Sequence, residues 1–210
     1  MRLRKVKNAL EIVESSPYYI SNPGDYKASF AELFGNNNPI CLEIGMGKGD
    51  FIIGMAEKYP NINFIGLEKF ESVMVRAVQK LVDYDLPNLK VIKDDALNLP
   101  LIFDKEIDTI YLNFSDPWPK NKHAKRRLTS PTFLSIYDSV FKGSPHIIQK
   151  TDNIYLFAYS LSELSKYGYI LDKVSLNLAN EEYDKDNVQT EYESKFRKDS
   201  VKINYLDAHK

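Results

Sequence analysis

Short apolar runs alternate along the chain with stretches that repeat apolar residues at helical spacing. The runs are rich in branched side chains and predict strands over residues 40–44, 62–67, 89–92, 107–112, 146–149 and 169–176. The helical stretches between them cover residues 51–59, 72–84, 131–141 and 153–167. Strands that alternate with helices predict an α/β fold, in which a mostly parallel central sheet has helices on both faces.

The chain has no internal repeat, low-complexity tract or Pro/Gly/Ser linker that would divide it. Its 210 residues predict a single domain over residues 1–210. The start of the chain is basic, and we expect a mobile N-terminal arm at about residues 1–20. This arm carries Arg2, Arg4, Lys5 and Lys7.

Composition excludes several classes of protein. With 43% apolar and 27% charged residues, the chain is neither disordered nor fibrous. Cys41 is the only cysteine, so an intrachain disulfide is excluded and a reducing, cytoplasmic setting is expected. The histidines do not have the spacing of zinc ligands, and we expect no metal. No apolar run has the length of a membrane span, and no apolar segment follows the basic start, so we expect neither membrane association nor export.

Charge is distributed unevenly, although the net charge is only −1. No acidic residue occurs between Asp116 and Asp138. This segment instead holds a cluster of basic side chains, namely Lys120, Lys122, His123, Lys125, Arg126 and Arg127. Charge alone favours a solvated loop, and a surface that binds nucleic acid is the alternative.

Acidic or amide side chains follow four successive predicted strands. Glu43 precedes a glycine-rich turn, residues 45–49, that leads from the first strand into a helix. Gly45 and Gly47 allow the backbone to approach a ligand closely. The alternative is that the same glycines only form a tight connection between strand and helix. The next strand ends carry Glu68, then Asp94-Asp95, then Asn113 to Asp116. Because ligands bind at the carboxyl ends of parallel strands, we expect a binding site at this edge.

The position of Glu68 indicates the kind of ligand. It lies 19 residues after Gly49, which suits the two hydroxyls of a ribose. The turn reads G-x-G-x-G and lacks the ending of a phosphate loop, so a nucleoside without a pyrophosphate is favoured. The acidic edge also favours a ligand with a positive charge. S-adenosylmethionine is both a nucleoside without a pyrophosphate and a cation. An NAD-dependent oxidoreductase is the alternative, since Glu68 suits its ribose equally. Asp95 either contacts the adenine amino group or, like Asp94, caps a helix.

The run NFSDPWPKNKHAKRRL, which begins at Asn113, resembles the signature of the bacterial tRNA (guanine-7-)-methyltransferases. The resemblance extends in the same order through LEIGMGKGDF from Leu42, KTDN from Lys150 and TEYE from Thr190, and it covers most of the chain. It implies a Rossmann-like class I methyltransferase fold, with S-adenosyl-L-methionine as the cofactor. It also implies tRNA as the partner, with guanine 46 of the variable loop as the usual target.

The resemblance further implies roles for individual positions. The S-adenosylmethionine site is expected to contain Glu43, Glu68, Asp95 and Asp116, and Asp116 is also the catalytic candidate. Substrate contacts are expected from Lys120, Asp152, Thr190, Glu191, Tyr192 and Glu193. The expected RNA-binding stretch consists of Lys122, His123, Ala124, Lys125, Arg126 and Arg127.

The chemistry of guanine is consistent with these roles. Nitrogen 7 has an available lone pair, so it can attack the sulfonium methyl group without losing a proton first. Catalysis then depends on alignment and electrostatics, and we expect Asp116 to orient the guanine and offset positive charge. Lys120 is expected to meet a phosphate or a guanine acceptor, and Trp118 is either a base-stacking residue or a loop anchor. A non-catalytic RNA-binding module is a second alternative function, and both a monomer and a homodimer fit the sequence.

Overall fold

A seven-stranded sheet forms the centre of the protein in the computed structural model, which describes residues 6–210. The strands are β1 (Ile40–Ile44), β2 (Asn63–Glu68), β3 (Leu89–Lys93), β4 (Thr109–Asn113), β5 (His146–Thr151), β6 (Ile170–Ser175) and β7 (Asn204–His209). They lie in the order β3-β2-β1-β4-β5-β7-β6. Strands β1 to β5 are parallel, and β7 is antiparallel to both β5 and β6. The predicted α/β class with a mostly parallel sheet is confirmed.

Eight α-helices connect or flank these strands in the described part of the chain. They are α1 (Ala9–Glu14), α2 (Phe30–Phe34), α3 (Asp50–Lys58), α4 (Glu71–Leu81), α5 (Leu99–Ile102), α6 (Pro131–Asp138), α7 (Ile154–Lys166) and α8 (Glu191–Lys198). Side-chain caps begin α7 and α8, because Asn153 and Thr190 each accept a hydrogen bond from a backbone N–H three residues later, both at 2.9 Å. None of these helices is long and apolar enough to cross a membrane.

The six predicted strands and four predicted helices are all present, with ends that shift by at most three residues. One strand and four helices were not predicted. Helices α1, α2 and α5 have six residues or fewer, too few to show a helical period. Helix α8 is largely charged, and Glu193 is its one buried residue. Strand β7 buries the polar residues Asn204 and Asp207 between two neighbouring strands, so its sequence lacks an apolar run.

Two apolar layers cover the sheet. Helices α2, α5, α6 and α7 pack on one face, around fully buried side chains such as Phe103, Tyr137 and Phe157. Helices α1, α3 and α4 pack on the other face, around Ile52 and Met74. Because both faces are buried, the central strands read as continuous apolar runs rather than alternating ones.

Residues 6–20 pack on the body of the protein, which corrects the expectation of a mobile arm for this segment. Val13 of α1 is fully buried in the layer that contains α4. Beyond α1, the Val91 N–H donates to the Tyr18 carbonyl at 2.9 Å, and the Ile20 N–H donates to the Val91 carbonyl at 3.0 Å. The segment therefore covers the exposed edge of β3, which an open sheet leaves unpaired. Lys7 is exposed, and Arg2, Arg4 and Lys5 lie outside the described residues.

The strand order reverses between β1 and β4. From β1 the chain builds β2 and β3 on one side, and it then returns to build β4 and β5 on the other. In sheets of this kind, ligands bind in the crevice outside the carboxyl ends of the two strands at the reversal. Glu43 lies on β1 and Asn113 lies on β4, both at this edge.

Candidate functional site

Glu43 is a buried carboxylate at the reversal point. Its Oε1 accepts a hydrogen bond from Nδ2 of Asn113 at 2.8 Å, and the residue is 1% exposed. Within residues 6–210, Oε2 of Glu43 and Oδ1 of Asn113 are buried without a hydrogen-bond partner. Burial raises the pKa of Glu43 to about 8, although the hydrogen bond from Asn113 and the charge of Lys150 act to lower it. Buried acceptors are normally paired in folded proteins, so these two oxygens suit the N–H donors of a ligand.

The turn after β1 opens its backbone to the same crevice. Gly45 and Gly47 have φ angles of 80° and 59°, a conformation that other residues rarely adopt. A Cβ atom added to either glycine would have no described atom within 4 Å, so both positions face open space. The Gly47 N–H donates to Oε2 of Glu68 at 3.1 Å, which joins the turn to the end of β2. The turn thus leaves room for a ligand beside its backbone.

Glu68 is held in place by two backbone N–H groups. Besides the bond from Gly47, its Oε1 accepts a hydrogen bond from the Phe70 N–H at 3.0 Å. Burial raises the pKa of Glu68, the backbone hydrogen bonds act to lower it, and the charge of Asp116 adds to the increase. Asp116 therefore lies near Glu68 even though their strands are not neighbours. Each Glu68 oxygen keeps a second lone pair, which fits the predicted contact with two ribose hydroxyls.

Asp95 forms the helix cap that the sequence left as one of two alternatives. Its Oδ1 accepts a hydrogen bond from the Leu97 N–H at 3.0 Å, and its Oδ2 lies 2.6 Å from Nζ of Lys69. Burial alone would raise the pKa of Asp95, but the bond from Leu97 and the pairing with Lys69 lower it. The neighbouring Asp94 accepts from the Asp95 N–H at 2.7 Å. The predicted contact of Asp95 with adenine stays a prediction.

The loop that carries Asp116 has an unusual backbone. Phe114 and Trp118 have φ angles of 51° and 42°, which are uncommon for residues other than glycine. Arg127 stabilises the loop, because its Nε donates to the Pro117 carbonyl at 3.2 Å and its Nη2 donates to the Trp118 carbonyl at 3.0 Å. Asp116 itself is exposed. Strained backbone of this kind clusters at functional sites, so the loop is a candidate for one.

Arg127 corrects one of the expected RNA contacts. It is 9% exposed, and its guanidinium lies 4.3 Å from the ring centroid of Tyr159. Its hydrogen bonds to the loop carbonyls and this stacking occupy the side chain, which therefore positions the loop instead of facing solvent. The other cations of the stretch are exposed along a 3-10 helix and its flank, namely Lys120, Lys122, Lys125 and Arg126, while His123 and Ala124 are half-buried.

Trp118 is packed by the basic stretch itself. The guanidinium of Arg126 lies 4.8 Å from its ring centroid, and the ring of His123 meets it edge-on at 5.8 Å. These are the contacts of a loop anchor, one of the two predicted roles of Trp118. The stacked pair also fixes Arg126 at the surface of the loop.

The two adjacent arginines are therefore expected to differ sharply on substitution. Arg127→Ala removes two hydrogen bonds to carbonyls and a stacked cation, and it should lower the free energy of unfolding by about 2 to 4 kcal/mol. Arg126→Ala, which removes the contact with Trp118, should lower that free energy by no more than about 1 kcal/mol and should reduce the salt dependence of the predicted tRNA binding by about one unit per phosphate contact. Urea denaturation and a salt titration of tRNA binding measure both. Equal unfolding energies for the two variants would contradict the structural role of Arg127.

The segment predicted to contact substrate begins helix α8 beside the site. Thr190 caps the helix, and Glu191 pairs with Lys48 of the glycine-rich turn at 2.7 Å. Tyr192 is 61% exposed, and its ring stacks on Phe114 with centroids 6.5 Å apart. The start of α8 is thus joined both to the turn after β1 and to the loop after β4.

Glu193 differs from the three residues before it. It is fully buried, and its Oε2 lies 2.7 Å from Nζ of Lys150, which is itself 2% exposed. The carboxylate that was expected to contact substrate is therefore already paired with Lys150 in the interior. The two other predicted substrate residues are exposed: Asp152 directly follows β5, and Lys120 lies in the loop after β4.

From the sequence, Asn113 is expected only as one of the polar residues at the strand ends and Lys150 has no predicted role, although both lie at the centre of the site. The predicted fifth strand ended at Gln149, so Lys150 fell in a loop. The observed strand continues to Thr151, which places Lys150 opposite Asn113 in the sheet. A strand extended by two residues would have shown that Lys150 is directed into the interior on the same face as Ile148.

The residues present fit S-adenosylmethionine. Glu43 offers a buried acceptor to its ammonium group, Glu68 offers two acceptors to its ribose, and the glycine-rich turn leaves space between them. When bound, this cofactor supplies an electrophilic methyl group on a positively charged sulfur. Residues 6–210 contain no group of three His, Cys, Asp or Glu side chains that could hold a metal ion.

Comparison with solved structures identifies the fold. A 16S rRNA methyltransferase, KamB, superposes with a TM-score of 0.66 at 15% identity over 87% of this chain and 92% of that chain. An S-adenosylmethionine-dependent methyltransferase from Aquifex aeolicus superposes with a TM-score of 0.56 at 14% identity over 97% of this chain and 99% of that chain. The fold is therefore the Rossmann-like fold of these methyltransferases.

Comparison with sequences identifies the family. The profile of a family described as "Putative methyltransferase" matches residues 37–206. A tRNA (guanine-N(7)-)-methyltransferase of Listeria welshimeri is 50% identical over 99% of this chain and 98% of that protein. Proteins of the same name are 48% identical in Bacillus cytotoxicus, over 99% of this chain and 96% of that protein, and 46% identical in Lachnoclostridium phytofermentans, over 93% and 92%. With such identity along nearly its whole length, the chain belongs to the tRNA (guanine-N(7)-)-methyltransferase family.

Proposed function

We propose that the protein transfers the methyl group of S-adenosyl-L-methionine to nitrogen 7 of guanine in tRNA, at guanine 46 of the variable loop. The proposal rests on the 46–50% identity with proteins named for this activity over nearly the whole chain. Because tRNA is modified where it is made and used, we also propose a cytoplasmic location.

Two buried carboxylates hold the cofactor in this proposal. Glu43 accepts hydrogen bonds from the amino group through its unpaired Oε2, and Glu68 accepts them from the ribose hydroxyls. The two side chains are fixed by Asn113 and by the backbone of Gly47 and Phe70, so binding does not require them to reorganise. Asp95 contributes at the adenine end with the lone pairs that Leu97 and Lys69 leave free.

Asp116 acts on the guanine. Its exposed carboxylate lies at the same edge as Glu68 and follows the strained loop residue Phe114, whose ring meets Tyr192. It accepts hydrogen bonds from guanine donors and offsets the positive charge that arises on the purine. No side chain has to remove a proton, because nitrogen 7 attacks with its own lone pair. Lys120 and the exposed cations after it contact the tRNA backbone.

Nucleoside analysis of methylated tRNA tests this function. Purified protein is incubated with labelled S-adenosylmethionine and total tRNA, and the tRNA is digested for mass spectrometry. We expect label in 7-methylguanosine, and we expect none with a tRNA transcript in which guanine 46 is replaced by adenine. Label in another nucleoside would contradict the proposed target. Binding of tRNA without any transfer of label would favour a non-catalytic RNA-binding module.

Glu68→Ala is expected to weaken cofactor binding by about 10- to 100-fold, because the ribose loses a charge-assisted acceptor for both hydroxyls. Titration calorimetry measures this affinity. Glu57→Ala, which removes an exposed carboxylate of α3, is the matched control and should bind as wild type does. Unchanged affinity in a folded Glu68→Ala variant would remove Glu68 from the site.

A further inference from the structure

Lys150 is a lysine buried at the carboxyl end of β5. Its ammonium donates three hydrogen bonds, to Oε2 of Glu193 at 2.7 Å, to the Val188 carbonyl at 2.8 Å and to Oδ1 of Asn187 at 2.9 Å. A lysine ammonium has three donors, so the group is fully satisfied. All three acceptors belong to helix α8 or to the segment just before it. Lys150 therefore joins the central sheet to α8.

Glu193 continues this connection toward the surface. Its Oε1 accepts hydrogen bonds from Nδ2 of Asn187 at 2.6 Å and from Nη2 of Arg197 at 2.7 Å. Arg197 also donates from Nη1 to Oδ2 of Asp184 at 2.7 Å. Alternating charges thus run from Lys150 through Glu193 and Arg197 to Asp184.

In the other direction Lys150 acts on the cofactor pocket. It lies opposite Asn113 in the sheet, and Asn113 donates to Glu43. The charge of Lys150 favours the ionised form of Glu43, whereas the neighbouring carboxylates of Glu68 and Asp50 oppose it. Lys150 is the positive group among these charged neighbours of Glu43.

Helix α8 depends on this connection for its position. Glu193 is its one buried residue, so the helix lacks the apolar stripe that normally attaches a helix to a core. It also contacts the body through the exposed pair Lys48–Glu191 and through Phe114, on which the Tyr192 ring stacks and against which the Phe196 ring lies tilted. A buried ion pair is a poor source of stability compared with apolar packing, and such pairs are better suited to fixing a geometry.

We propose that Lys150 is a positioning residue for methyl transfer. It fixes the start of α8, which carries Thr190, Glu191 and Tyr192, against the strand edge that carries Glu43, and its positive charge favours the ionised form of Glu43. The first of these effects rests on the proposed function of the α8 residues, whereas the second concerns cofactor binding alone. Lys150 touches neither reacting atom in this role.

The pH dependence of cofactor binding separates the charge of Lys150 from its place in the ion pair. Lys150→Met combined with Glu193→Gln removes the pair and the charge, whereas Lys150→Arg keeps a positive charge but cannot reproduce the three hydrogen bonds of the ammonium group. Calorimetry with S-adenosylmethionine from pH 6 to pH 9 gives the midpoint pH at which the affinity stops rising. For the double variant this midpoint should lie about one pH unit above that of wild type. At pH values below the wild-type midpoint, this shift corresponds to about tenfold weaker binding. The midpoint of Lys150→Arg should not rise, because arginine stays charged when buried.

Turnover and hydrogen exchange report the position of α8. In the double variant, kcat/KM for tRNA should fall about 30-fold or more, because a small displacement of substrate contacts is costly to catalysis. Amide exchange over residues 191–198 should accelerate about tenfold or more, while exchange in α7 should not change. Thermal unfolding confirms that each variant is folded before these measurements.

Lys58→Met is the matched control. Lys58 also tethers the segment before α8, since its Nζ donates to the Asp186 carbonyl at 2.7 Å, but it lies at the surface away from Glu43. This variant should stay within about twofold of wild type in turnover, as expected when a surface tether is removed.

Two results would overturn the proposal. A folded double variant with the wild-type pH midpoint would show that Lys150 does not set the ionisation of Glu43. Wild-type exchange in α8 together with wild-type kcat/KM would show that Lys150 does not position the helix. If wild-type protein binds S-adenosylmethionine but methylates no tRNA, the proposed function fails, and the pH midpoints and exchange rates still decide the role of Lys150. If it binds no S-adenosylmethionine, the exchange rates alone decide whether Lys150 positions α8.

Discussion

Replacement of Asp116 by asparagine is expected to slow the methyl-transfer step about 100-fold, equivalent to about 2.7 kcal/mol. The side chain keeps its shape, but one acceptor oxygen becomes an amide that faces the donors of guanine. The loss should be large because the frame around Asp116 is rigid: Phe114 and Trp118 have left-handed backbone angles, and Arg127 holds two of the loop carbonyls. A rigid frame cannot move to restore the lost contact.

Single-turnover methylation with saturating tRNA and cofactor measures this step. Asp83→Asn provides the control, since Asp83 is an exposed carboxylate just after α4, far along the chain from the loop. Cofactor affinity should change much less than the rate. A rate within about threefold of wild type would exclude an important electrostatic role for Asp116. We also expect no steep loss of activity that follows the titration of a general base, since nitrogen 7 carries no proton to remove.

Glu43→Gln should weaken S-adenosylmethionine binding about 100-fold at pH 8.5, because the ammonium of the cofactor loses a buried counter-charge. In wild type, burial raises the pKa of Glu43 to about 8 in the free protein, so most molecules hold a proton there at neutral pH. Binding of a cation must release that proton. Wild-type affinity should therefore rise about tenfold per pH unit up to pH 8 and then level off.

Calorimetry in two buffers of different ionisation enthalpy detects the released proton directly. The Gln variant should release none and should lose the dependence of affinity on pH, whereas Glu68→Ala should bind weakly and keep that dependence. Wild-type affinity that is flat from about pH 6.5 to 8.5 would show that Glu43 is not the group that responds.

The same pKa affects the stability of the free protein. The folded protein holds the Glu43 proton more tightly than the unfolded chain does, because the pKa is about 8 in the fold against 4.5 without it. The stabilising contribution is complete below pH 4.5 and is lost as the pH rises through 8. Urea denaturation should show a smaller loss over this range for Glu43→Gln than for wild type.

The sequence was most informative where one local property decided the structure. The apolar runs of β1 and β2 are continuous because both faces of the sheet are covered, and this pattern is visible without coordinates. The carboxylates Glu43 and Glu68 could be placed at one edge because parallel strands align their carboxyl ends. Residues were misassigned where long-range pairing overrides local character. Arg127 belongs to a basic run, but in the fold two loop carbonyls and Tyr159 engage it.

Lys150, Glu193 and β7 illustrate the same limit. A lysine and a glutamate separated by 43 positions in the chain become a buried pair only when β5 and α8 meet. Nothing in the local sequence of either residue indicates burial, since charged residues are mostly exposed. Strand β7 likewise buries Asn204 and Asp207 because its neighbours enclose it, which no local period can show.

The place of β7 in the sheet has a consequence for the order of folding. Strand β6 is synthesised first, yet among the described strands it pairs only with β7, and β5 keeps an open edge until β7 inserts. During synthesis the five parallel strands can therefore form a sheet in which the edge of β5 is unprotected. Strand β6 remains unpaired during the same interval. Unpaired strand edges promote association between chains, so the interval before β7 arrives is the time at which nascent chains are most exposed to aggregation.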